Sequence, residues 1–300
     1  MTTTPGARLR HLMDQGIVAA PGAFNGLVAR EVARAGFSAA YVSGGATSAA
    51  AGVPDVGLLT LDRFAQMVRE VTQAARTDDG TRLPVIADAD TGFGEEEMIV
   101  RTVVEYARAG AAGLHLEDQV FPKRCGHLDG KTLVPTEHMA SKVAWAAQTA
   151  KETHDPDFVI CARTDAAGVE GFDAAVDRAV AYVQSGAAMI FPEGLKSEDD
   201  FARFATVLRG RVSSKVYLLA NMTEFGKTPL IPLDRFAELG YDIVIFPVTM
   251  LRVALGAVSK ALTQLKDTGS VEPFLDQMQT RTELYEALGY TPGQPWSHPT

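Results

Sequence analysis

Eight short apolar runs recur along this 300-residue chain, each followed by an amphipathic stretch of helical length. The runs occupy 17–20, 38–42, 84–87, 112–116, 158–162, 187–191, 216–219 and 243–246. The helical stretches occupy 26–35, 61–75, 95–109, 136–153, 172–184, 198–208, 233–239 and 250–265, after a first helix near 7–15. Runs this short and this apolar suit parallel strands buried on both faces. Several stretches stop at glycine (Gly36, Gly110, Gly186, Gly240), the residue that best tolerates a left-handed C-cap. Right-handed βαβ crossovers repeated eight times close into a (β/α)8 barrel of the TIM type. An open doubly wound sheet is the competing arrangement, but no Gly-x-Gly-x-x-Gly turn follows the first run. A single barrel domain over 1–300 is therefore expected. Beyond the eighth unit, 271–290 reads as an extra C-terminal helix with Met278, Leu284, Tyr285 and Leu288 on an apolar face. It has no place in the ring, so it lies across a barrel end or on a neighbouring subunit. The tail 291–300 carries three prolines and reads as loose.

Composition excludes several classes. A formal net charge of −9 argues against a nucleic-acid partner. No uninterrupted apolar stretch reaches membrane-spanning length, and no signal peptide is evident. Two cysteines, Cys125 and Cys161, suit a reduced, cytoplasmic protein and lack the spacing of a zinc site.

In a barrel of this kind the active site lies at the C-terminal ends of the strands. There the runs end in Ser43-Gly44-Gly45, Asp88-Ala89-Asp90, Glu117-Asp118, Arg163-Thr164-Asp165, Pro192-Glu193 and Asn221, with Pro247 and Arg252 after the eighth. Polar groups thus converge on one rim from nearly every strand. Asp88 and Asp90 share a side of an extended segment. With Glu117 they concentrate negative charge, and carboxylates this close repel unless a cation sits between them. Few carboxylates on an open rim suit Mg2+ or Mn2+, with Asp55 as an outer ligand. The competing reading is an Asp pair capping a turn. Ser43-Gly44-Gly45 reads as a turn whose N–H groups suit a carboxylate or phosphate. Arg163, Arg252 and Arg281 could each hold a carboxylate bidentately. Together these residues imply a small, multiply anionic substrate on a divalent metal.

The pentapeptide Lys123-Arg124-Cys125-Gly126-His127 places a thiol among three basic side chains beside a glycine. Such a thiol has a lowered pKa and can transfer protons. A plain basic turn with an incidental cysteine is the bland alternative.

Several stretches resemble the isocitrate lyase and phosphoenolpyruvate mutase superfamily: 88–94 (Asp-Ala-Asp-Thr-Gly-Phe-Gly), 113–119 (Gly-Leu-His-Leu-Glu-Asp-Gln) and the pentapeptide 123–127. Ala162-Arg163-Thr164-Asp165, Phe191-Pro192-Glu193, 221–226 and 278–281 resemble its 2-methylisocitrate lyase branch. The resemblance covers nearly the whole chain. It implies a (β/α)8 barrel homotetramer that exchanges C-terminal helices between subunits. It also implies Mg2+-dependent cleavage of the tricarboxylate 2-methylisocitrate to pyruvate and succinate in propionate breakdown. Asp88 and Asp90 match the metal-binding pair. Ser43, Gly44, Gly45, Cys125, Gly126, Arg163, Glu193, Asn221, Met222, Thr223, Arg252 and Arg281 match substrate-contacting positions.

For that reaction the expected catalytic set is Cys125, Lys123, His127, Tyr41 and Glu117. Lys123, Arg124, His127 and Arg163 supply positive charge to an enolate-like intermediate. Tyr41 or Glu193 takes the hydroxyl proton, and Cys125 protonates the carbanion. Phe191, Ile245 and Pro247 form a slot for the substrate methyl. The alternatives are isocitrate cleavage, a phosphoenolpyruvate mutase or oxaloacetate-directed reaction on the same scaffold, and a non-catalytic sensor of carboxylates.

Overall fold

The apolar runs form eight parallel strands: β1 (Val18–Pro21), β2 (Ala40–Val42), β3 (Val85–Asp88), β4 (Gly113–Glu117), β5 (Val159–Thr164), β6 (Met189–Pro192), β7 (Tyr217–Asn221) and β8 (Ile243–Phe246). The chain is described here by a computed structural model over residues 3–77, 79–124, 126, 130–226 and 228–296. Neighbouring strands pair in the order β1-β8-β7-β6-β5-β4-β3-β2. A parallel bridge between Gly22 and Tyr41 joins the two ends of that sheet. The Ala23 N–H donates to the Tyr41 carbonyl at 2.9 Å beside it. The expected (β/α)8 barrel is the fold.

The α-helices among the described residues are α1 (Pro5–Gln15), α2 (Gly26–Arg34), α3 (Gly44–Ala50), α4 (Leu61–Ala74), α5 (Glu96–Arg108), α6 (Thr136–Glu152), α7 (Phe172–Gln184), α8 (Glu198–Arg211), α9 (Leu233–Glu238), α10 (Thr249–Thr268) and α11 (Arg281–Leu288). Local chemistry starts many of them. Side chains of Thr4, Asn25, Ser43, Thr60, Ser197 and Thr280 accept an N–H from the first turn of α1, α2, α3, α4, α8 and α11. Such a cap stabilises a helix by about 1 kcal/mol.

Each strand is buried on both faces, and its alternation divides the core in two. Val18, Tyr41, Ile86, Cys161, Phe191, Leu219 and Ile245 point into the barrel. Val42, Leu114, Ile160, Ile190, Leu218 and Val244 point outward to the helices. Leu9 and Met13 of α1 join the interior cluster, so α1 closes one end of the barrel. The other end is left to polar residues. Among the described residues no helix is long and apolar enough to cross a membrane.

Two elements depart from expectation. The glycine pair after β2 opens a helix, α3, where a turn was expected, because Ser43 caps an alanine-rich run. The helix after β8, α10, buries no side chain on this chain. The segment expected across a barrel end or on a neighbouring subunit contains α11, which meets α2 within this chain: Ala287 is buried, and Arg30 Nη1 donates to its carbonyl at 3.3 Å.

Candidate active site

Counting on by two from the inward-facing residues of the strands gives the rim. Tyr41 leads to Ser43, Ile86 to Asp88, His115 to Glu117, Cys161 to Arg163, Phe191 to Glu193, Leu219 to Asn221 and Ile245 to Pro247. The pleat therefore aims all seven at the barrel mouth. Ser43, Asp88, Arg163, Glu193, Asn221 and Pro247 line a cavity of about 300 Å³, with Tyr41, Gly45, Asp55, Gly126, Thr223 and Arg252 among its other walls.

The carboxylates gather on one side. Asp88 accepts the N–H of Gly44 at 3.0 Å and of Asp90 at 2.9 Å. A Cβ at position 44 would lie 2.6 Å from Asp88 Oδ2, so this close approach requires glycine. The expected free N–H of Gly44 is thus already committed to a carboxylate. Asp90 takes a positive φ of 47°, and burial pushes its carboxyl up to about 6 although Lys123 lies beside it. Lys123 Nζ, expected among the cations facing the substrate, bridges Asp55 at 2.5 Å and Asp90 at 2.7 Å. Glu117 is fully buried, and among the described residues neither of its oxygens accepts a hydrogen bond. Burial pushes its carboxyl well above the carboxylate range, despite Arg163 at 3.3 Å. Carboxylate oxygens buried without donors suit a cation or its bound waters. Among the described residues no three ligand side chains could hold an ion by themselves.

Arg163 forms the cationic floor. Its Nε and Nη2 donate to Asp165 at 3.0 and 3.1 Å. Nη2 stands 3.6 Å from Glu193, and the guanidinium lies over the Phe191 ring. Asn221 Nδ2 donates to Glu193 at 3.0 Å. Gly126 rests directly on this floor: a Cβ there would lie 2.3 Å from Arg163 Nη2 and 2.6 Å from Glu193 Cγ. The base of its loop is held by Gln119, whose side chain accepts the Arg124 N–H and donates to its carbonyl, both at 2.9 Å. Cys125 and His127 lie outside the described residues.

Not every expected residue reaches the cavity. Met222 is buried in the outer core, where its sulfur accepts the Ile231 N–H at 3.1 Å. Arg281 begins α11, against α2, and does not line the cavity of this chain. Arg252 reaches the rim 3.5 Å from Glu224 and over the Phe225 ring.

Two site residues, His115 and Lys131, escaped the sequence reading. His115 shares a 2.7 Å hydrogen bond with the Tyr41 hydroxyl and stands 3.7 Å from Asp88. Burial holds its imidazole down to about 4, so it is neutral at physiological pH. Asp165 and Lys131 form the third side of the floor. The period-two count above would have exposed His115 as an inward residue two before Glu117.

Residues 9–266 match the family model described as phosphoenolpyruvate phosphomutase. The chain is 52% identical over 270 residues to the Corynebacterium glutamicum protein named "Probable 2-methylisocitrate lyase 1", covering 90% of this chain and 84% of that one. Solved 2,3-dimethylmalate lyase superposes with a TM-score of 0.86 at 35% identity, covering 96% of this chain and 93% of that one. Phosphonopyruvate hydrolase, solved with oxalate and Mg2+, gives 0.82 at 30% identity, covering 96% and 95%.

Proposed function

Because the chain belongs to the phosphoenolpyruvate phosphomutase family, we propose that it cleaves 2-methylisocitrate to pyruvate and succinate. The observation that carries this reading is the contact of Gly126 with the Arg163–Glu193 floor. It brings the backbone that follows Cys125 onto the cavity that also holds the acidic cluster. A multiply anionic substrate is matched by Arg163 and Arg252, with Ser43, Asn221 and Thr223 as polar partners. Phe191, Ile245 and Pro247 line the same cavity and form an apolar slot for the methyl group. A slot of this kind discriminates one methyl by about 1–3 kcal/mol.

Asp88 and Asp90 would hold the divalent cation, Mg2+ or Mn2+, with Asp55 and Glu117 beside them. When bound, that ion supplies Lewis-acid polarisation of the substrate's hydroxyl and carboxylate oxygens. A base, Glu193 or Tyr41, takes the hydroxyl proton. The bond between the hydroxyl-bearing carbon and its neighbour then breaks, and the former carbon becomes the ketone of pyruvate. The electron pair stays on the succinate carbon, next to a carboxylate, where Arg163 stabilises the developing charge. Cys125 delivers the proton to that carbon, as the cationic neighbours of a reactive thiol allow.

We also propose a homotetramer joined through α10. Leu251, Leu255, Val258, Leu262 and Leu265 recur at alternating spacings of four and three, and the last four are exposed. That is the seam a partner helix covers.

The test is pyruvate release from 2-methylisocitrate beside glyoxylate release from isocitrate, with Mg2+ and then with EDTA. Metal-dependent pyruvate release with little glyoxylate is expected. Comparable glyoxylate would reassign the substrate, and silence on both would overturn the reading.

A further inference from the structure

Lys131 is a buried cation with no part in the chemistry above; its side chain is 5% exposed. Among the described residues its ammonium has two acceptors. One is the carbonyl oxygen of Gly126 and the other is Asp165 Oδ1, at 2.6 Å. Asp165 is itself wholly buried and receives Arg163 through two nitrogens. Its own N–H donates to Asp118 Oδ1 at 3.0 Å. Asp118 is fixed in turn by the Tyr182 hydroxyl at 2.9 Å and by Arg178 at 3.5 Å. One carboxylate thus serves both cations: Oδ1 accepts from Lys131 and from Arg163 Nη2, and Oδ2 accepts from Arg163 Nε. Burial would raise the Asp165 carboxyl, but Arg163 and Lys131 hold it down to about 2. The shared charge is therefore present at every working pH.

The geometry at Gly126 is tight from both sides. Its Cα faces the Arg163 guanidinium and the Glu193 side chain so closely that no Cβ fits. Its carbonyl faces Lys131. With Gln119 gripping Arg124, the residues on either side of Cys125 in the chain are each held by a side chain.

We infer that Lys131 is a positioning residue for the proposed cleavage: through Asp165 it seats the Gly126 peptide against Arg163 and Glu193. Charge-assisted bonds to a carboxylate and a carbonyl give this seat direction as well as strength. A neutral side chain of the same length would leave the Gly126 carbonyl without its donor. The peptide that follows the proton donor would then drift relative to the cavity, and displacement of about 1 Å costs roughly 100-fold in rate.

This inference rests on the proposed reaction, so its test reads both turnover and backbone protection. Lys131→Met should lower kcat on 2-methylisocitrate about 100-fold with KM little changed, the pattern of an interaction made in the transition state. Hydrogen exchange should quicken over 119–134 in that variant and stay unchanged in the strands. In Lys131→Ala, added propylammonium replaces the missing side-chain end and should restore turnover, whereas tetramethylammonium at equal ionic strength should not. Unchanged exchange over 119–134 overturns the inference. So does a uniform loss of protection across the barrel, or equal kcat in Lys131→Met and wild type. If the wild type is silent on 2-methylisocitrate while exchange quickens locally, the reaction reading fails and the seating of Gly126 stands.

Discussion

The Tyr41 hydroxyl lies 2.7 Å from His115 Nε2, in the barrel interior one layer below the carboxylates. Both groups are neutral there. Burial, reinforced by Asp88, raises the Tyr41 hydroxyl well above its ordinary value, and burial lowers His115 to about 4. Tyr41→Phe leaves one nitrogen of a wholly buried imidazole without its partner. The expected cost is about 1–3 kcal/mol of stability, read by urea denaturation. The same variant separates the two candidate bases. Glu193 lines the cavity with Arg163 and Asn221, whereas the Tyr41 hydroxyl is committed to His115. Glu193→Gln should therefore lose about 10²–10⁴-fold in kcat, and Tyr41→Phe less. The reverse order would assign the base to Tyr41.

Gly126→Ala should act on turnover without unfolding the barrel. The added methyl meets Arg163 Nη2 at 2.3 Å and the Glu193 side chain, so either the loop or the guanidinium must shift. Both belong to the rim, and the two core clusters are untouched. Steady-state kinetics should show kcat down by about 100-fold and a raised KM, while the melting temperature stays near that of the wild type. Wild-type kinetics in this variant would mean that the loop backbone does not contact the floor during turnover.

The barrel and most of its rim were legible because both follow from local periodicity. Short apolar runs with glycine-ended helices give the eight units, and strand ends give Ser43, Asp88, Glu117, Arg163, Glu193 and Asn221. His115 was not read because a single polar residue inside Gly113-Leu114-His115-Leu116 looks like core. Lys131 and Asp165 are 34 positions apart, and no local pattern links them. Helix α3 was hidden by the low helix propensity of Gly44-Gly45, which the Ser43 cap offsets. Met222 misled for the opposite reason. It sits one position past the rim residue Asn221, and the pleat turns it outward.

The uncovered stripe on α10 carries a prediction about assembly. Leu262, the fourth residue of that four-and-three spacing, is 61% exposed. Leu262→Glu places a charge where a partner helix would bury the leucine, and the side chain is mostly exposed on its own chain. Light scattering coupled to size exclusion should show a tetramer for the wild type and smaller species for the variant, with the circular dichroism spectrum kept. A tetramer that survives the substitution would rule out α10 as the seam.

Asp165 sets a pH dependence of stability whose sign is fixed by its neighbours. Burial alone would raise its carboxyl, yet Arg163 and Lys131 bring it from 3.8 to about 2. The unfolded chain therefore takes up this proton at a higher pH than the folded one does. Stability from the ionised form is complete above the unfolded value and is lost as pH falls toward the folded value. At about 1.4 kcal/mol per pH unit the loss amounts to roughly 2 kcal/mol. In Asp165→Asn that loss disappears, but two buried cations are left with one less counter-charge, which costs about 3–5 kcal/mol near neutrality. Urea denaturation at pH 6, 4 and 3 should therefore show the variant well below the wild type at pH 6, with the gap narrowing as the pH drops. Parallel curves across that range would show that Asp165 does not change its ionisation on folding. The charge that Lys131 and Arg163 share would then have to come from another group.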